Sequence, residues 1–90
     1  MKEQTKILKI NKRCRVVWSR WLDDWGFWQN SLWVSIKKQG LDLWVNYPMS
    51  RYIQVEKYEG NINTAPTEPS DEELRGYYKE LKRKKPELFK

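Results

Sequence analysis

Ser31 to Pro48, "SLWVSIKKQGLDLWVNYP", is the stretch on which the fold turns. Leu32, Val34 and Ile36 alternate with Trp33, Ser35 and Lys37. Beyond Gln39 and Gly40, Leu41, Leu43, Val45 and Tyr47 alternate with Asp42, Trp44 and Asn46. A two-residue period on both sides of a glycine predicts two antiparallel strands, each with one apolar face. With Gln39 and Gly40 as a two-residue turn, Lys38 faces Leu41, Ile36 faces Leu43, Val34 faces Val45 and Leu32 faces Tyr47. The opposite face then pairs Lys37 with Asp42, Ser35 with Trp44 and Trp33 with Asn46. Pro48 has no N–H to give a ladder and ends the second strand.

Working outward, "RYIQVEKY" after the proline alternates again and predicts a further strand. Upstream, "KILKINK" and "RCRVVW" place Leu8, Ile10, Cys14, Val16 and Trp18 in phase, predicting one or two more. Between them, residues 16 to 33 hold five of the six tryptophans. Trp18, Trp21, Trp25, Trp28 and Leu32 fall at helical spacing, but Gly26 and the adjacent Asp23 and Asp24 suit a turn. Residues 19 to 30 thus fit either a short helix or a second hairpin with Trp21 opposite Trp28. On either reading some of Trp18, Trp21, Trp25 and Trp28 form the core, because four indoles exposed together would exceed the apolar patch a soluble monomer shows, and any that are exposed mark a dimer interface or ligand surface.

Past Gly60, "NINTAPTEP" is rich in turn residues, and Ser70 with Glu73 forms a capping box. Leu74, Tyr77, Tyr78 and Leu81 then make one apolar stripe, with acidic residues at the head, "KRKK" at the tail and Pro86 as the stop. The expected fold class is α+β: an antiparallel β-meander of four to five strands with one C-terminal helix. It comprises a sheet over 1–60, a linker over 61–70 and a helix over 71–85, in one domain.

The net charge of +6 is concentrated at the ends: residues 1 to 20 hold seven bases and one acid, and residues 82 to 85 are all basic. Such clusters attract polyanions. With one cysteine and no histidine, the chain has no internal disulfide, no Cys/His zinc site and no histidine acid or base. No apolar run resembles a signal peptide or a membrane span, so a cytoplasmic setting is expected. Asp23 and Asp24 alone make a poor metal site, and Tyr52 beside Arg51 lacks the rest of a nucleophilic centre. No enzyme, cofactor or metal is expected.

Leu43-Trp44-Val45-Asn46-Tyr47-Pro48, followed by Ser50 and Arg51, resembles the "LFVxMPS(K/R)" strand of the SpoVG family. Tyr47 stands where that family favours Met. The close match covers about ten residues, and the resemblance implies a curled antiparallel sheet ending in a helix, site-preferring DNA or RNA binding, and commonly a homodimer.

The function expected from these features is nucleic-acid binding, on single-stranded or site-specific DNA or RNA. Arg13, Arg15, Arg20, Lys37, Lys38, Arg51, Lys82, Arg83, Lys84 and Lys85 would meet phosphates, and Trp33, Trp44 or Tyr52 would stack on bases. The alternative is a protein-binding module, such as a phage-type inhibitor or adaptor, that inserts a tryptophan-rich surface into its partner. The partners named by these readings are nucleic acid, a protein and a second copy of the chain, and no membrane.

Overall fold

In the computed structural model, which describes residues 3–26, 28–38, 40, 42–49 and 67–89, four strands run antiparallel in the order of the sequence. These are β1 (Glu3–Asn11), β2 (Cys14–Leu22), β3 (Trp28–Lys37) and β4 (Trp44–Pro48). A helix, α1 (Asp71–Lys84), closes the described chain with a 3-10 turn over Pro86–Phe89. The expected α+β meander with a C-terminal helix is therefore present. The strand expected in "RYIQVEKY" lies outside the described residues, as do Arg51 and Tyr52.

The residues that alternate in the sequence sort cleanly between the two sides of the sheet. Cys14, Val16 and Trp18 of β2 face Ile36, Val34 and Leu32 of β3 in register, and all six are buried. Leu8 and Ile10 of β1 and Tyr47 of β4 pack against this cluster. Helix α1 lies over it, with Leu74 and Leu81 fully buried, and Met49, Tyr77, Tyr78, Leu88 and Phe89 complete the core.

Both hairpin registers differ from the expected ones, with different consequences. Between β3 and β4, Ile36 faces Val45 and Val34 faces Tyr47, and Lys38 N donates to the Leu43 carbonyl at 3.0 Å. The connection is thus two residues longer than a Gln39-Gly40 turn. Because two is the strand period, the side chains of β3 and β4 keep their expected sides, whereas Leu43, expected on the apolar face opposite Ile36, falls in the longer connection and is 57% exposed. Gly40, at φ +78, supplies the left-handed backbone the bend needs.

The second hairpin settles residues 19 to 30 as strand, turn, strand rather than helix, but Trp21 faces Gln29 and Leu22 faces Trp28. Trp21 and Trp28 therefore lie on opposite sides of the sheet. The expected register would have set Val16 against Trp33, mixing apolar and polar series; the observed one aligns Val16 with Val34 and Trp18 with Leu32. Asp23 builds the turn: its Oδ1 accepts from Trp25 N (2.9 Å), its Oδ2 accepts from Gln29 Nε2 (2.8 Å), and its carbonyl accepts from Gly26 N (3.1 Å). Gly26, at φ +83, closes it.

Ser70 caps α1, its Oγ accepting from Glu73 N at 3.2 Å. Asp71, Glu72 and Glu73 occupy the positive end and Lys82, Arg83 and Lys84 the negative end. Lys6 of β1 ties the helix entry to the sheet: its Nζ donates to the carbonyl of buried Pro69 (2.8 Å) and lies 3.0 Å from Asp71 Oδ1. Replacing Ser70 with Ala should cost about 1 kcal/mol. That would appear as a fall of about 4 to 8 °C in the midpoint of thermal unfolding followed by circular dichroism. An unchanged midpoint would mean that the cap contributes nothing.

Candidate nucleic-acid interface

With α1 on one side of the sheet, the odd-numbered residues of β1 to β3 occupy the other. The strand pairings arrange this second face in rows. One row is Lys9, Arg15, Ser35 and Asn46; the next is Ile7, Val17, Trp33 and Pro48; beyond it lie Thr5, Ser19 and Ser31, then Glu3, Trp21 and Gln29. Trp44 extends the face beside Lys37. Among the described residues no element is packed over it.

The rows are knit by short polar contacts. Ser35 Oγ bonds Asn46 Oδ1 at 2.5 Å, and the hydroxyls of Thr5 and Ser19 meet at 3.1 Å. Small side chains are sealed between large ones, so Val17, Ser19 and Ser35 are buried even though their side of the sheet is open. Trp21, Trp33 and Trp44 remain half-buried.

Arg15 is the centre of the charge pattern. Its guanidinium carbon lies 4.2 Å from the centre of the Trp44 ring, and its buried Nε has no hydrogen-bond partner. No carboxylate pairs with it among the described residues. A guanidinium laid on an indole is held in place without losing its charge, so its outer N–H groups are pre-oriented for an anion. Lys37 is engaged, 2.7 Å from Asp42 Oδ1; that bond and the lysine charge hold the Asp42 carboxyl below its ordinary value.

The remaining residues expected to contact nucleic acid lie elsewhere. Arg20 falls on the helix side of β2, with its guanidinium 5.8 and 5.7 Å from the Trp18 and Trp28 rings. It does not share a face with Arg15, because the two stand five positions apart and an odd offset along a strand changes sides. Lys38 donates to the Tyr47 hydroxyl at 3.1 Å, on the helix side. Arg13 bends to the end of the sheet, its Nε donating to the Lys37 carbonyl at 3.3 Å. Lys82, Arg83, Lys84 and Lys85 close the helix, with Arg83 held 2.7 Å from Glu80.

The expected set thus divides into an open-face group (Arg15, Trp33, Lys37, Trp44) and a helix-side group. Lys9 and Trp21 belong to the first and were missed. Carrying the two-residue period back from Trp33 through the register that aligns Val16 with Val34 would have found both.

No protein-family model, curated protein or solved structure matches the chain. The geometry of the face therefore carries the functional argument. Asp23 and Asp24 serve the turn described above. None of the described helices is long and apolar enough to cross a membrane.

Proposed function

We propose that the open sheet face binds nucleic acid as a platform for unpaired bases. The observation that carries this reading is the Arg15 guanidinium stacked on Trp44, one strand away from Trp33, within rows of hydroxyl and amide side chains. Half-buried indoles offer ring faces to bases of any identity, at about 1 to 3 kcal/mol per stacked base. Lys9 and Arg15 neutralise the backbone beside them, joined by Lys37 where a phosphate displaces the exposed Asp42 carboxylate, and Ser31 and Asn46 offer hydrogen bonds to base edges. The likeness of Leu43 to Arg51 to the SpoVG strand points to the same class of ligand.

The test is a titration of tryptophan fluorescence with a short single-stranded oligothymidine at several salt concentrations. With two to three phosphates neutralised on the face, log K should fall against log salt with a slope of about −1.5 to −2. Arg15→Gln should flatten that slope by about 0.7, one phosphate's worth. Absence of binding at low salt, or binding indifferent to salt, would defeat the proposal.

A second reading draws on Trp25, which is 86% exposed at the tip of the β2–β3 turn, and on Ile7, 57% exposed on β1. Exposed aromatic anchors of this kind are typical of protein-binding surfaces. A protein partner would be lost with Trp25→Ala and indifferent to Arg15→Gln; the nucleic-acid platform responds in the opposite way.

A further inference from the structure

Away from the open face, a half-enclosed cleft of about 250 Å³ lies where the β1–β2 turn meets the end of α1. Cys14, Ile36, Tyr78 and Phe89 line its apolar part, and Tyr78 and Phe89 meet edge to face with centroids 5.5 Å apart. Its polar part is Asn11, Arg13 and Lys82. Among the described residues, neither Asp nor Glu lines it.

Two cations therefore face one small cavity, with no acidic residue among its described lining. Arg13 is held there by its Nε bond to the Lys37 carbonyl, and its backbone N–H donates to Asn11 Oδ1 at 2.8 Å, which fixes the turn. The Lys82 ammonium lies 5.8 Å from the Tyr78 ring centre. Burial pushes the Cys14 thiol up to about 11, and the positive charge of Lys82 acts on it in the opposite sense.

We infer that this cleft binds a phosphate monoester of mononucleotide size or smaller, with the phosphate between Arg13 and Lys82 and the organic part against Tyr78 and Phe89. The volume is just under the ~300 to 1,000 Å³ of pockets that hold drug-sized ligands, so the occupant is small. A planar guanidinium and a mobile ammonium converging from two elements suit a tetrahedral dianion, to which charge-assisted bonds are the strong ones. The apolar wall gives an organic phosphate an advantage over the inorganic ion. The same group is presented by a free mononucleotide and by the 5′-phosphorylated end of a strand. This site does not depend on the open sheet face.

The test is a titration of the isotope-labelled full chain with adenosine monophosphate, followed by backbone amide resonances. Saturable shifts are expected at Cys14, Ile36 and Lys82, at lower concentration than inorganic phosphate requires. Arg13→Gln and Lys82→Gln should each weaken binding about tenfold or more, as loss of a charge-assisted bond implies. The Trp33→Ala, Trp44→Ala double variant should bind the mononucleotide as the parent does, so failure here and failure of the sheet platform are separate results. Shifts at these amides with a 5′-phosphorylated oligonucleotide but not its 5′-hydroxyl counterpart would identify strand ends as a source, and shifts with the mononucleotide alone would identify the free ligand. The inference is overturned if millimolar mononucleotide leaves these amides unmoved, or if both single variants bind it unchanged.

Discussion

Trp18→Ala should cost about 3 to 5 kcal/mol of folding stability, the loss expected when a large aromatic is cut out of a core. Trp18 is fully buried at the middle of the sheet, with Leu32 opposite it on β3 and Val16 in the same cluster. A domain of this size has on the order of 5 to 10 kcal/mol in total, so one substitution would remove a third or more of it. Urea unfolding followed by circular dichroism measures the loss directly. Trp25→Ala is the control: that side chain is 86% exposed in a turn, and its removal should change stability by no more than about 0.5 kcal/mol. Equal effects at the two positions would refute the division of the tryptophans into core and surface.

The second large effect concerns binding. Replacing both Trp33 and Trp44 by Ala should weaken single-strand affinity by about 2 to 6 kcal/mol, at least about 30-fold, if each indole stacks one base. Folding should suffer far less, since both rings are half-buried and Trp44 contributes about 0.5 to 1 kcal/mol through Arg15. Fluorescence anisotropy of a labelled oligonucleotide provides the readout, with circular dichroism to confirm that the variant is folded. Neutralising Lys82 to Lys85 instead should leave this affinity within about threefold, because those residues lie with the helix on the other side of the sheet. If the helix substitutions abolished binding and the tryptophan substitutions did not, the strand would have to lie across α1.

How far the sequence disclosed this arrangement can be judged strand by strand. The apolar series Leu32-Val34-Ile36 and Cys14-Val16-Trp18 identified the buried side correctly, because a side chain's direction in a strand depends only on parity. The helix was legible from its cap, its stripe and its terminal proline, each a local signal. Turn length was not legible. Asp23 uses both carboxylate oxygens and its carbonyl in a turn one residue longer than the one that would set Trp21 opposite Trp28, and the β3–β4 bend is two residues longer than Gln39-Gly40 alone. Such bonds depend on atoms that neighbours in sequence do not announce. The one-residue error moved Trp21 and Trp28 to opposite sides, whereas the two-residue error moved nothing across the sheet. The grouping of basic residues was legible only in part, since clustering along the chain does not specify on which layer a side chain emerges; Arg20 and Lys38 show this.

The parity of β2 and β3 also bears on how such a protein can change. Along either strand, adjacent residues answer to different demands: one must fit against α1, and the next meets whatever lies outside. Substitutions at Ser31, Trp33 or Arg15 can therefore retune affinity or preference while Val16, Leu32 and Val34 keep the scaffold intact. Insertion or loss of a single residue inside either strand has no such freedom, because it exchanges the two demands along everything that follows.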